Sequence, residues 1–126
     1  MYNKIINSQS DKSPVWNREF GENSEDIREE KKKEGKFELL MDDYNKYNSK
    51  YQKKYNIPKA YYCAIGHTPQ FFEGQGINSI CQGRIWRCDV GMSRAFKDDS
   101  NYNEDNDVRK PQVLEIINDT QINVLS

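Results

Sequence analysis

Histidine is almost absent from this chain: a single imidazole, His67, occurs among 126 residues. Three cysteines accompany it, an odd number and one too few for a zinc site built from four cysteines. Disulfide scaffolds use abundant, paired cysteines, so this class of fold is disfavoured as well. One histidine also cannot form a metal site unaided, because a bound metal needs several protein ligands.

Long apolar runs and a basic surplus are missing too. No stretch approaches the roughly 20 apolar residues that cross a bilayer, so a membrane span is not expected. Lys and Arg number 19 against 20 Asp and Glu, which gives a net charge of −1. Proteins that neutralise many phosphates usually carry excess positive charge, so nucleic-acid binding is disfavoured. No charged-then-apolar leader is visible, and the compartment therefore stays open.

The length suits one small domain, because 126 residues can bury one hydrophobic core and not two. Composition divides the chain into five segments: a leading segment (1–24), a helical segment (25–56), a strand and hairpin (57–96), a polar loop (97–110) and a terminal hairpin (111–126). A helical segment followed by short strands indicates a mixed α/β chain.

Segment 25–56 has helical periodicity. Six large side chains, here called the apolar stripe, recur every three or four residues: Phe37, Leu40, Tyr44, Tyr47, Tyr51 and Tyr55. We expect the stripe to face the core, with an aromatic platform for RNA as the alternative. Gly35 interrupts the segment and predicts two helices, arranged as a helical hairpin. The lysine run 31–33 is flanked by glutamates, which predicts a solvated helix face.

Two further segments predict strands. Residues 61–65 form a short apolar run that fits a buried strand, covered on both faces. Residues 113–117 and 121–125 predict a hairpin around the polar residues 118–120.

A second hairpin is predicted from residues 77–81 and 84–89, which a Gln-Gly pair joins in a tight turn. The register that this turn imposes pairs three sets of residues: Ile80 with Ile85, Ser79 with Trp86, and Ile77 with Cys88. Cys81 then lies opposite Arg84. A disulfide between Cys81 and Cys88 would need a different register.

His67 follows the apolar run 61–65, so it should lie at the carboxyl end of a strand, where ligand sites in α/β sheets collect. Gly66 allows a sharp turn before it, and Pro69 stiffens the chain after it. An imidazole on a rigid turn is a good metal ligand. A structural, hydrogen-bonding histidine is the alternative.

Arg18 follows Trp16 by two residues, and its planar guanidinium suits bidentate recognition of a phosphate or carboxylate. A surface arginine that stacks on Trp16 or pairs with Glu19 is the alternative. Further along the chain, Asp89 precedes Gly91, a pattern typical of an aspartate that stabilises a turn.

The order of these pieces resembles a known family. VWNRE, a helix, a short strand ending in GHTPQ, and a hairpin ending in WRCDVGMS are similar to the C-terminal part of PPP-type metallophosphatases of the calcineurin-like phosphoesterase superfamily. The segment GHTPQ…GINSICQGRIWRCDVGMSRAF is most similar to the Shewanella-like protein phosphatase branch. The resemblance covers residues 13–18 and about 61–96.

The resemblance implies a fold and an activity. The fold would be the C-terminal part of a layered β-sandwich flanked by helices, and the activity would be hydrolysis of phosphate monoesters in phosphoproteins. It implies that His67 is a metal ligand in a site for two divalent ions (Mn, Fe or Zn). It also implies that Arg18 holds the substrate phosphate. Asp89 is expected to support the loop and not to bind metal.

The departures from the family pattern concern the other metal ligands. The early DxH, GDxxDRG and GNHE motifs and a second His are absent from these 126 residues. We therefore expect the remaining ligands upstream of Met1 and expect this chain alone to be inactive and poorly soluble. It would need the N-terminal half of the domain. A small, non-enzymatic protein-interaction module is the alternative.

Overall fold

The computed structural model describes residues 18–92 and 111–126. Within these ranges the elements are α1 (Ile27–Tyr55), β1 (Cys63–Ile65), a 3-10 turn (Gln70–Glu73), β2 (Asn78–Ile80), β3 (Ile85–Arg87), β4 (Val113–Ile117) and β5 (Gln121–Leu125). The predicted mixed α/β class is confirmed. Most of the leading segment, with Trp16, and the whole polar loop 97–110 lie outside the described residues.

Helix α1 is continuous over 29 residues, so the predicted helical hairpin is wrong. Asp26 caps its start by accepting hydrogen bonds from the backbone N–H groups of Arg28 and Glu29, at 2.7 and 2.9 Å. Asn56 ends it in the left-handed region, with φ of 52°. Gly35 does not break the helix because one glycine costs only about 1 kcal/mol relative to alanine. Strong helix formers on both sides outweigh that cost.

The core lies between the first half of α1 and the sheet. Phe37 is 1% exposed and packs with Met41, Cys81 and Ile85. Phe20 meets the Phe37 ring edge-to-face, with ring centroids 6.2 Å apart. The segment before α1 is thereby fixed to the same core as the sheet.

The second half of α1 extends beyond this core, and the expectation that the whole apolar stripe faces inward is wrong. Tyr44, Tyr47, Tyr51 and Tyr55 are 52–76% exposed. The reason is length: 29 helical residues span about 43 Å, whereas a strand of three residues spans about 10 Å. Periodicity placed these side chains on one face, but the described sheet is too short to cover it.

The lysine run at 31–33 is not wholly solvated, which corrects the expectation for this segment. Lys33 is 3% exposed, and its ammonium group donates a hydrogen bond to the Glu22 carbonyl at 2.7 Å. Glu29, one turn earlier, lies 3.9 Å from it. Lys31 and Lys32 are exposed, as predicted. Lys33 thus ties α1 to the segment that leads into it.

The three-stranded sheet has the order β1-β3-β2, with β1 parallel and β2 antiparallel to β3. The predicted hairpin register is confirmed, since Ile80 pairs with Ile85 and Ser79 with Trp86. The Gln-Gly turn has φ of 57° and 80° at its two central residues, and the Arg84 N–H donates to the Cys81 carbonyl at 3.2 Å. Positive φ at both positions is the type I′ geometry that suits hairpins.

Strand β1 is less covered than predicted. Its side chains alternate, and Cys63 and Ile65 pack toward the core while Ala64 is exposed. It is also an edge strand of the sheet. The expectation of a strand covered on both faces is therefore wrong.

The terminal hairpin β4–β5 has the predicted limits, with Ile117 paired to Gln121 and Val113 to Leu125. Its turn places Asn118 and Asp119 at φ of 52° and 59°, conformations that these two residue types tolerate. Just before β4, the Gln112 side-chain oxygen accepts a hydrogen bond from the Ile77 N–H at 2.7 Å. Among the described residues, α1 is too polar to cross a membrane, and no other helix is long enough.

Candidate functional site

The candidate site begins where β1 ends. Cys88 N–H donates to the Ile65 carbonyl at 2.8 Å and fixes this end of the strand beside β3. His67 follows two residues later, exposed and with φ of 73°. Positive φ costs a residue that carries a Cβ about 1–2 kcal/mol, so the surrounding contacts must hold the turn in place. The structure therefore presents the imidazole at a strained position on the surface.

Arg18 lies in a separate turn. Its carbonyl accepts hydrogen bonds from the Gly21 and Glu22 N–H groups, at 2.8 and 3.1 Å. Phe20, within this turn, packs into the core. Glu19 forms an ion pair with Lys36 of α1. The backbone of this turn, called here the Arg18 turn (18–22), is thus held from both sides while Arg18 itself is exposed.

The Arg18 turn packs directly against the turn that carries His67, called here the His67 turn (66–69). A Cβ added to Gly21 would lie 2.2 Å from the Thr68 hydroxyl oxygen and 2.5 Å from its Cβ. No side chain fits in that space, so a glycine at position 21 is what allows the two turns to touch. Residues of both turns also line one mostly apolar cavity of about 580 Å³.

A buried amide joins the two turns. Gln70 is 1% exposed, and its side-chain nitrogen donates to the Gly21 carbonyl at 2.9 Å and to the Thr68 carbonyl at 2.8 Å. Its side-chain oxygen accepts from Asn78 at 3.0 Å, and its backbone N–H donates to the Asp89 carbonyl at 2.8 Å. Both amide hydrogens and the amide oxygen are therefore satisfied.

Arg87 adds a second buried polar group to this network. It is 4% exposed and donates to the Asn78 side chain at 2.6 Å and to the Asn23 side chain at 2.9 Å. It also reaches the Gly21 carbonyl at 3.3 Å. The Gly21 carbonyl therefore accepts from both Gln70 and Arg87, which fixes the Arg18 turn on the sheet.

Asp89 and Gly91 form a tight turn after β3. The Asp89 carboxylate accepts a hydrogen bond from the Gly91 N–H at 3.1 Å. Gly91 has φ of 56°, and a Cβ there would lie 2.4 Å from the Phe71 ring. This arrangement agrees with the expected role of Asp89 in supporting the loop.

The three cysteines are free thiols. Burial raises the pKa of each, and the Glu34 and Glu30 carboxylates raise the pKa of Cys81 further. The thiolate is the nucleophilic form, so a raised pKa lowers the reactivity of these thiols at neutral pH. The absence of a disulfide between Cys81 and Cys88 agrees with the predicted register.

The described residues contain no group of three or more His, Cys, Asp or Glu side chains that could hold a metal ion. His67 is exposed.

Sequence reasoning missed the two buried polar residues that organise the site. Gln70 belongs to the GHTPQ segment, but nothing in that pattern indicated that its amide would be buried between two turns. A signal for Arg87 was present, because strand alternation places it on the same face as Ile85, whose side chain is 1% exposed. A charged residue on an inward face predicts a buried polar network.

No protein-family model, no curated protein and no solved structure matches this chain.

Proposed function

We propose that this chain is the C-terminal part of a metal-dependent phosphoprotein phosphatase with the layered metallophosphoesterase fold. In this proposal Arg18 binds the substrate phosphate, and His67 is one ligand of a site for two divalent ions. The other ligands belong to the N-terminal half of the domain. One observation carries the proposal: Gly21 and Thr68 are in contact, so the turns of Arg18 and His67 are neighbours although the two residues are 49 positions apart in sequence.

The chemistry of the two side chains supports the same function. An exposed guanidinium can donate two parallel hydrogen bonds to a phosphoryl group, and it offsets the negative charge that develops during hydrolysis. A neutral imidazole can bind a divalent cation through one ring nitrogen. When bound, such a pair of cations activates water and binds the phosphoryl oxygens.

The proposed residues have complementary tasks. Arg18 binds and orients the phosphate from a turn whose backbone is fixed by Gly21 and Phe20. His67 presents its ring from a turn that Gln70 holds in place. Asp89 keeps the adjacent loop tight through the Gly91 N–H. In this proposal these residues supply only part of the active site, and the other metal ligands come from the N-terminal half of the domain.

The experiment begins with the genomic sequence upstream of Met1. We expect it to encode GDxxDRG and GNHE in the same reading frame, and we expect the longer protein to hydrolyse p-nitrophenyl phosphate with Mn²⁺. Arg18→Ala and His67→Gly should each lower kcat/KM about 100-fold or more, because each removes a charge-stabilising or metal-binding group. Glycine is chosen at position 67 because it adopts positive φ without strain.

Arg28→Ala is the matched control, since Arg28 is another exposed arginine and lies in the first turn of α1. It should retain the parent rate. A parent rate in Arg18→Ala or His67→Gly would contradict the assigned roles. Mn²⁺-dependent turnover by the 126-residue chain alone would contradict the proposal that it is only part of the active domain.

A second candidate is a non-enzymatic interaction module. The observation that favours it is the exposed second half of α1, where four tyrosines share one face. A stop codon directly before Met1, together with expression of the short chain, would favour this candidate over the phosphatase.

A further inference from the structure

A shared hydrogen-bond donor, and not packing alone, holds the two turns of the candidate site together. Each is a short loop whose own backbone leaves carbonyl groups without a partner inside the turn. A buried carbonyl needs a hydrogen-bond donor, and leaving it without one costs free energy. The Gln70 amide donates to both the Gly21 and the Thr68 carbonyl, and Arg87 gives the Gly21 carbonyl a second donor.

We propose that Gln70 is a positioning residue that sets the distance between Arg18 and His67. Its amide donates one hydrogen to the Arg18 turn and the other to the His67 turn, so the separation of the two carbonyls is fixed by the geometry of one planar NH2 group. The catalytic consequence rests on the proposed function. The structural claim, that this amide holds the turns together, does not.

The surroundings of Gln70 prevent its amide from adapting to other positions. Its side-chain oxygen is held by Asn78, and Asn78 in turn accepts from the buried Arg87. Its backbone N–H is bound to the Asp89 carbonyl, and its backbone carbonyl accepts from the Gln75 N–H at 3.1 Å. Rotation of the amide would break hydrogen bonds on both sides, so the group is locked in one orientation.

The same residue links all three segments that the sequence singled out. The Gly21 carbonyl belongs to the Arg18 turn, the Thr68 carbonyl to the His67 turn, and the Asp89 carbonyl to the loop after β3. A site whose phosphate-binding and metal-binding groups come from different loops depends on such a link, since small displacements reduce activity strongly. Mutation of comparable supporting residues typically costs 10–100-fold in activity.

The structural test needs no activity, and it uses the 126-residue chain or, where that chain associates, the longer protein. In the NMR spectrum of the parent chain we expect a strong NOE between the Gly21 Hα protons and the Thr68 methyl group. Gln70→Met keeps the length and the burial of the side chain but removes both donors, so this NOE should weaken at least threefold. Gln121→Met, at an exposed position of β5, is the matched control and should leave it unchanged. An unchanged NOE in folded Gln70→Met overturns the inference.

The functional test is a double-mutant cycle in the longer, active protein. Gln70→Met should lower kcat/KM by about 10–100-fold when Arg18 is present. In the Arg18→Ala background it should have less than a threefold further effect, because residues that act through one another are not additive. Fully additive losses would show that Gln70 acts on general stability and would overturn its positioning role.

Gly21→Ala provides an independent route if Gln70→Met does not fold. It leaves the Gln70 amide intact and inserts a methyl group where the Thr68 hydroxyl lies, so it separates the turns directly. The same loss of kcat/KM is expected, again without additivity with Arg18→Ala, and full activity would overturn the inference. If the NOE weakens as expected while Arg18→Ala retains the parent rate, the structural link stands and the proposed function fails.

Discussion

The two halves of α1 carry similar side chains at the same helical spacing, and their surroundings are opposite. In the first half, Phe37 is 1% exposed and packs on the sheet. In the second half, Tyr51, at a matching position, is 59% exposed. Helical periodicity decides which residues share a face, but only a neighbouring element decides whether that face is covered.

The polar residues show the same contrast. Lys33 is buried and bonded in the first half, whereas Lys50 is exposed in the second. Where the second half does make contact, the contact is polar: the Asn45 side chain donates to the Ala60 carbonyl at 2.9 Å and accepts from the Ala60 N–H at 2.8 Å. These bonds fix the chain that returns from α1 to β1.

The largest expected effect tests the apolar contrast. Phe37→Ala should lower the free energy of unfolding by about 3–5 kcal/mol, since it removes a ring from the centre of the core. Tyr51→Ala should change it by less than about 0.5 kcal/mol. Urea unfolding of the 126-residue chain followed by circular dichroism measures both. Equal losses would mean that the second half of α1 is covered after all.

An intermediate effect is expected for the lysines. Lys33→Met keeps the buried aliphatic stem but leaves the Glu22 carbonyl without its donor, which should cost about 1–3 kcal/mol of unfolding free energy. Lys32→Met, in the same run but exposed, is the control and should be near neutral. Equal urea midpoints for the two variants would mean that the Lys33 hydrogen bond adds no stability, which would contradict the prediction.

The smallest expected effect has the opposite sign. Gly35→Ala should stabilise the chain by about 0.5–1 kcal/mol, because a glycine inside a helix loses more backbone entropy than an alanine. Apart from the adjacent residues and the backbone of its own helix, an added Cβ at Gly35 would meet no atom within 4 Å, so no other part of the protein opposes the gain. A shift of the urea midpoint to lower concentration would show that the helix is bent or broken there.

The turns and the register of one hairpin could be predicted from the sequence because a few neighbouring residues specify them. The Gln-Gly pair fits a two-residue turn, and that turn length set the register in which Ile80 pairs with Ile85. The polar residues 118–120 located the turn of the terminal hairpin. The predicted break at Gly35 was wrong because the helix-propensity cost of one glycine is small. The favourable helix propensities of its neighbours exceed that cost.

Only part of the candidate site could be predicted from the sequence. The motifs directed attention to Arg18 and His67, yet no local rule brings residues so distant in sequence together. Their turns meet because Gly21 leaves room for Thr68 and because Gln70 supplies donors to both. The roles proposed for Arg18 and His67 stay predictions.

The sequence by itself determined the outer limits of the helical segment, the two hairpins and the register of β2 with β3, because turn residues and alternation act over a few neighbouring residues. Tertiary structure alone decided that the tyrosines of α1 face outward, that Lys33 is buried, and that the Arg18 and His67 turns touch. Burial and long-range contact depend on how much surface other elements present, and that quantity is not encoded in any short stretch of chain.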